Sequence, residues 1–211
     1  MRIAVFGGSG ATGRLVVRAA LARGWDVTAY VRDASRMDTS HERLQVTVGE
    51  LEDADAIRGV VAGCDAVISV LGPGFVPSRR AISRGIENIV LGMKQGGVTR
   101  LVVLATPSYR DPRDGYDRRF SVVVGLVHLL LPAAWATIVE MCQTVVASEL
   151  EWTLVRIPLL SNADDSGPPH VGWVGEPGVT FSRLPRATVA EFMVSQVCDC
   201  GLVHAAPVIS R

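Results

Sequence analysis

Seven residues near the start of the chain, Gly7-Gly8-Ser9-Gly10-Ala11-Thr12-Gly13, have the types and spacing to hold a pyrophosphate. Glycines at 7 or 8, at 10 and at 13 permit a tight turn, close approach of phosphate to the backbone, and tight helix–strand packing. The free N–H groups of the helix that follows point at the phosphates. The motif alone is weak, and a tight βα turn without a ligand is its alternative. Its context is stronger: an apolar run at 2–6 precedes it and a helical pattern at 15–24 follows. We expect Gly7, Gly8, Ser9, Gly10, Ala11, Thr12 and Gly13 to bind a dinucleotide.

NAD sites place an acidic residue at the end of the second strand, about 20 residues on, for the ribose 2′-OH. Here that place holds Tyr30-Val31-Arg32, with Ser35 and Arg36 close behind. Guanidinium groups suit a 2′-phosphate by bidentate pairing, so Arg32 and Arg36 predict NADP(H) over NAD(H). Asp33 would repel that phosphate if it turned inward; it reads instead as a helix-start or turn aspartate. The later strand ends complete the expected cofactor site. Glu50 and Leu51 would flank the adenine, and Leu71, Gly72 and Pro73 would lie along the ribose and pyrophosphate. Thr106 would approach the nicotinamide, with Pro158 at the end of the sixth strand.

Other chemistries lack their residues. Lys94 is the only lysine among 21 basic residues, and it follows Met93, so there is no Walker A Gly-Lys. A Tyr-x-x-x-Lys dyad would need tyrosine at position 90, which is Val90. There is no Ser-His-Asp arrangement and no HExxH. Cys198-Asp199-Cys200 with His204 offers ligand-type atoms, but the spacing is not that of a zinc knuckle, and buried cysteines at a helix end are the reading here; no metal is expected. Lys+Arg and Asp+Glu are both 21, and net charge steers this neutral chain neither to nucleic acid nor to an acidic membrane surface. Four cysteines do not make a secreted disulfide framework, and no signal pattern opens the chain, so a cytoplasmic location is expected.

The elements that must position these residues alternate. Apolar runs at 2–6, 26–32, 44–50, 65–72, 100–106, 150–158 and 202–210 read as strands. Helical patterns fill 15–24, 54–63, 77–97 and 187–199. Strands rich in Val, Ile and Leu with little alternation point to burial on both faces. The expected fold is α/β: a Rossmann doubly wound parallel sheet with helices on both faces and a small C-terminal substrate lobe. One domain spans 1–211, its substrate-lobe segments being 107–149 and 159–186. The 211 residues, 48% apolar, suffice for a core.

Two irregular segments, 107–120 and 161–178, leave the carboxyl edge of the sheet and are the expected pocket walls. Tyr109 and Tyr116 could donate a proton there, or pack as loop aromatics. Arg110, Arg113, Arg118 and Arg119 make the first segment basic, which attracts an anionic substrate or forms a solvated face. Ser121–Val139 carries no formal charge over 19 residues. Pro132 reads as the first-turn residue of a new helix, so a helix pair lining an apolar pocket or a homodimer face is expected, with no integral membrane span. His128 within it reads as a core histidine, and less readily as an acid.

GGSGATG, YVRDASR, GELEDADAI, DAVISVLG, GIENIVLGMKQGGVTRLVV, LEWTLVRIP and LPRATVAEFM, in this order, resemble atypical short-chain dehydrogenases. The branch it is most similar to holds NAD(P)H-binding proteins akin to biliverdin-IXβ and flavin reductases and to NmrA-like proteins. The resemblance covers nearly the whole chain. It implies a Rossmann fold, an NADP preference carried by Arg32, and reductase chemistry without a Tyr-Lys dyad. In such flavin reductases a Thr-Ser pair follows the fifth strand; Thr106 matches, whereas Pro107 lacks both hydroxyl and backbone donor. Ser108 or Tyr109 would substitute, so the candidate catalytic residues are Thr106, Ser108 and Tyr109.

These readings lead to an NADPH-dependent reductase acting on a planar conjugated small molecule: a flavin, quinone or tetrapyrrole-like acceptor. A non-catalytic NADP-binding sensor or partner-binding protein is the alternative. An isomerase or dehydratase that uses bound NADP catalytically is the third.

Overall fold

A computed structural model describes residues 1–72, 79–164 and 167–211. Five strands arise where apolar runs are largely buried, β1 (Arg2–Phe6), β2 (Asp26–Val31), β4 (Ala66–Ser69), β5 (Arg100–Ala105) and β6 (Glu151–Arg156), while β3 (Leu44–Val48) lies at the sheet edge with no buried residue. All pair in parallel, in the order β3-β2-β1-β4-β5-β6. This is the doubly wound order, and the direction of winding reverses between β1 and β4. The Rossmann fold expected from the residues is therefore present.

Helices cover both faces. α1 (Ala11–Ala22) packs against α6 (Arg186–Ser195) on one side. α2 (Ala54–Val61), α3 (Arg79–Gly96) and α5 (Pro132–Val146) cover the other. Alternate residues of one strand feed the two cores: Ile3 and Val5 join Val16, Ala20 and Met193, while Ala4 and Phe6 join Ile57, Ile89 and Met141. Gly24 ends α1 at φ +75°, a conformation that favours glycine.

The far edge departs from the sequence reading. The segment 161–178, expected to be irregular, contains β8 (His170–Gly172), which pairs antiparallel with the short β10 (Val208–Ser210). β7 (Leu159–Ser161) and β9 (Arg183–Pro185) form a separate two-stranded ribbon. The terminal strand is shorter than the run 202–210, because residues 201–204 turn and His204 adopts φ 55°. Three-residue strands lack the length for a visible period.

The apolar segment 121–139 divides as Pro132 foretold. α4 (Arg118–Leu130) ends, and α5 begins with Pro132 in its first turn, bent from α4 by 112°. Among the described residues no single helix is long and apolar enough to cross a membrane.

Candidate functional site

The glycine loop is built by close approach. A Cβ on Gly13 would lie 2.1 Å from the Gly7 carbonyl oxygen, and one on Gly8 would lie 3.1 Å from the Ala29 Cβ. Gly7 itself has φ +83°, and its carbonyl accepts the Gly10 N–H at 3.0 Å. The turn therefore folds back under the start of α1. No side chain caps that helix and no acidic residue stands in its first turn. An uncapped helix start of this kind attracts negative charge. Uncapped donors above a turn that only glycine fits are what a dinucleotide pyrophosphate requires.

At the end of β2, Asp33 caps a short 3-10 turn at Ala34–Arg36, accepting Ser35 N–H at 2.9 Å and Ser35 Oγ–H at 2.7 Å. These bonds hold its carboxyl below the usual range. Asp33 is the turn aspartate expected, and Arg32 and Arg36 are exposed beside it. Tyr30 donates its hydroxyl to the Glu50 carbonyl at 2.8 Å, tying the end of β2 to that of β3. A Cβ on Gly49 would meet that hydroxyl at 2.2 Å, which ends β3 there. Leu51 packs on Gly85, and its carbonyl accepts Asn88 Nδ2–H at 2.9 Å. Gly72 has open space around it. Pro73 lies outside the described residues.

Past β5 the chain turns sharply. The Thr106 hydroxyl accepts Ser108 N–H at 3.3 Å and its carbonyl accepts Tyr109 N–H at 3.2 Å. The Thr106 hydroxyl is thus engaged by the turn, although Pro107 contributes no donor. Beyond it lies a cavity of about 520 Å³, walled by Ser108, Tyr109, Arg110, Val124, His128 and Trp135 among others. That volume lies within the range of small-molecule sites. Ser108 and Tyr109 are on its wall; Thr106 and Pro158 are not. Burial, then the neighbouring Cys142, Asp111 and Asp114, push the Tyr109 phenol above its ordinary value. Under it, burial holds the Cys142 thiol up at about 12, so it stays protonated.

The residues that hold this wall were missed in the sequence. Arg156, fully buried, pairs with Asp114 through Nη1–Oδ2 at 2.6 Å and Nη2–Oδ1 at 2.8 Å. It also donates to the Tyr109 carbonyl at 3.0 Å and the Ala206 carbonyl at 2.5 Å. The Asp114 carboxylate additionally accepts the N–H groups of Asp111 and Val174 at 2.9 and 3.1 Å. Asp111 binds the Ala206 N–H at 3.1 Å and Arg113 Nε at 3.1 Å. Burial would raise Asp111, but these donors hold it below its ordinary value. One signal was available: an arginine inside the apolar run of β6 demands a carboxylate.

Several candidates lie elsewhere than expected. Arg113 is bound to Asp111 and stacks 4.3 Å from the Trp173 ring, so it serves the loop. Tyr116 is 79% exposed and does not line the cavity. His128 is not a core histidine; it sits on an exposed helix face and stacks 4.3 Å from Trp135. Cys198 and Cys200 are exposed rather than buried, because α6 ends at Ser195 before reaching them. Among the described residues no cluster could hold a metal ion.

A family profile described as NAD(P)H-binding matches residues 7–199. The chain belongs to that family. Its sequence is 32% identical over 119 residues to a 3-beta-hydroxysteroid dehydrogenase of Mycolicibacterium neoaurum, covering 51% of this chain and 32% of that protein. The chain spans a third or less of the length of the curated relatives it matches. The oxidoreductase ylbE of Lactococcus lactis has a similar structure, with TM-score 0.81 and 15% identity, over 100% of this chain and 91% of that one. A short-chain dehydrogenase/reductase of Veillonella parvula in complex with NADP superposes with TM-score 0.80 and 14% identity, over 100% and 94%. These likenesses establish the fold.

Proposed function

We propose that this protein is an NADPH-dependent reductase of a planar conjugated acceptor such as a flavin, a quinone or a tetrapyrrole-like molecule. The observation that carries the reading is the cavity that opens directly past β5, where Ser108 and Tyr109 meet the His128–Trp135 stack. The glycine loop binds the pyrophosphate, with Glu50 and Leu51 beside the adenine and Leu71, Gly72 and Pro73 along the ribose. Arg32 and Arg36 take the 2′-phosphate, which makes NADPH the preferred form. Bound dihydronicotinamide supplies the hydride. The chain supplies orientation: flat aromatic walls align a planar acceptor and exclude water. Tyr109, which lines the cavity and whose phenol burial pushes above its ordinary value, is the proton donor to a reduced acceptor in this reading.

One observation favours a second reading, a non-catalytic NADP-binding protein. The Thr106 hydroxyl accepts the Ser108 N–H of its own turn at 3.3 Å, and Lys94 pairs with Glu149 at 3.6 Å. On this reading neither Thr106 nor Lys94 replaces the missing dyad.

Fluorescence titration with NADPH and NADH side by side, followed by NADPH oxidation at about 340 nm over a panel of flavins, quinones and enones, separates the readings. Preferred NADPH binding with turnover supports the reductase. Tight binding with no turnover on any acceptor supports the second reading. Binding of neither nucleotide overturns both.

A further inference from the structure

α4 has almost no core face. Of its 13 residues only Phe120 is buried. Val122, Leu126 and Leu129 repeat at helical spacing on the outside, and Leu130 and Leu131 continue them into the corner with α5. Leu129 is 75% exposed and Leu130 70%. Side chains that exposed make little contact with the rest of the domain. A contiguous apolar surface of this kind marks a contact site.

Charge identifies the contact. Arg118 and Arg119 are exposed on the first turn of α4, and among the described residues neither guanidinium has a partner. No acidic residue lies from Arg118 to Val139, and Glu140 accepts the Ser83 hydroxyl at 2.7 Å. A second copy packed helix to helix would therefore add two more arginines and no carboxylate from that stretch. A sheet of phosphates above acyl chains answers both features. From Arg119 to Leu130 the helix rises about 16 Å, so the arginines can sit among headgroups while the leucines lie deeper.

We propose that the α4–α5 corner is a peripheral docking surface for an anionic lipid bilayer. Val122, Leu126, Leu129, Leu130 and Leu131 enter the acyl boundary, and Arg118 and Arg119 pair with lipid phosphates. The inference does not rest on the reductase reading.

Co-sedimentation of the full chain tests it, with vesicles of phosphatidylcholine alone or mixed with phosphatidylglycerol. Preferential binding to the mixed vesicles is expected. The double variant Leu129→Glu/Leu130→Glu should lose binding about tenfold or more. Arg118→Ala/Arg119→Ala should lose about thirtyfold on mixed vesicles, and added salt should mimic it. Thermal unfolding of both variants should match the parent, and the exposed arginine pair keeps the test decisive if the leucine variant misfolds. Absence of binding to either vesicle overturns the proposal, and equal binding to both overturns the role given to the arginines. Sedimentation velocity without lipid supplies the other overturning result: a dimer that the leucine variant converts to monomer, with no vesicle binding, assigns the face to a second copy.

Discussion

The two halves of the crevice are held open by opposite means. On the β1–β2 side, small residues let backbone approach backbone: Gly13 against Gly7, Gly8 against Ala29, Gly49 under Tyr30. There the absence of side chains lets the turn close, and no side chain caps the start of α1. On the β5–β6 side a fully buried ion pair, Arg156–Asp114, does the holding, and nearly every polar atom of the clamp is spent on the protein itself. A site for a fixed cofactor needs open donors on a rigid turn. A wall of irregular loop needs something that specifies one conformation, and a bidentate charge pair does so by direction as well as energy.

The largest effect should come from breaking the clamp. Asp114→Asn leaves a buried guanidinium without its counter-charge and should cost about 3–5 kcal/mol. For a chain of this size that lowers Tm by about 6–20 °C, read by thermal denaturation. The contrast sharpens if NADPH affinity is measured below the transition. It should change little, because no atom of the clamp is on the glycine loop. A loss of NADPH binding equal to that of a glycine-loop variant would show that the two halves are one cooperative unit.

Next is the reciprocal break. Gly13→Ala places a methyl where the Gly7 carbonyl already stands, so the loop or α1 must move. The stability cost should be about 1–3 kcal/mol, smaller than that of the clamp, while NADPH binding falls at least about a hundredfold. Titration and denaturation of the same variant test both halves of that statement.

The unequal legibility of the two sides follows from their physics. Glycine spacing is local: the turn, the helix start and the next strand end lie within about thirty residues of sequence, and each has a recognisable residue type. Pro132 and Asp33 were readable for the same reason, since each fixes its own neighbourhood. The clamp is not local. Arg156 lies 42 residues from Asp114, and the segment 107–120 looked basic because its four arginines outnumber its three aspartates. Only the fold reveals that Asp111 neutralises Arg113, and that Asp114 turns inward while Tyr116 turns out. β8 and β10 are legible only as a pair, because three residues carry no period.

A smaller effect sharpens the cofactor side. Arg32→Ala should weaken NADPH about tenfold and leave NADH nearly unchanged, narrowing the preference without touching the loop. Tandem loss with Arg36→Ala should deepen it. If NADH weakens in parallel, the arginines shape the turn rather than read the 2′-phosphate, and Asp33 would be the residue that matters there.

The smallest effect distinguishes the two sides by pH. Asp111 belongs to the clamp, and its folded-state pKa lies below its ordinary value of 3.8 because Arg113 and the Ala206 N–H hold the carboxylate. A depressed acid contributes stability that is fully present above the unfolded pKa and is lost as pH falls through the folded one. Urea denaturation of the parent should therefore show stability declining below about pH 4. Asp111→Asn should be less stable near neutrality and decline less steeply in that acid window. Arg32→Ala should leave the slope unchanged, because no acid of the clamp contacts Arg32. An unchanged slope in Asp111→Asn would mean that the donors around Asp111 serve its neutral form equally well, and that the clamp's specificity resides in Arg156 and Asp114 alone.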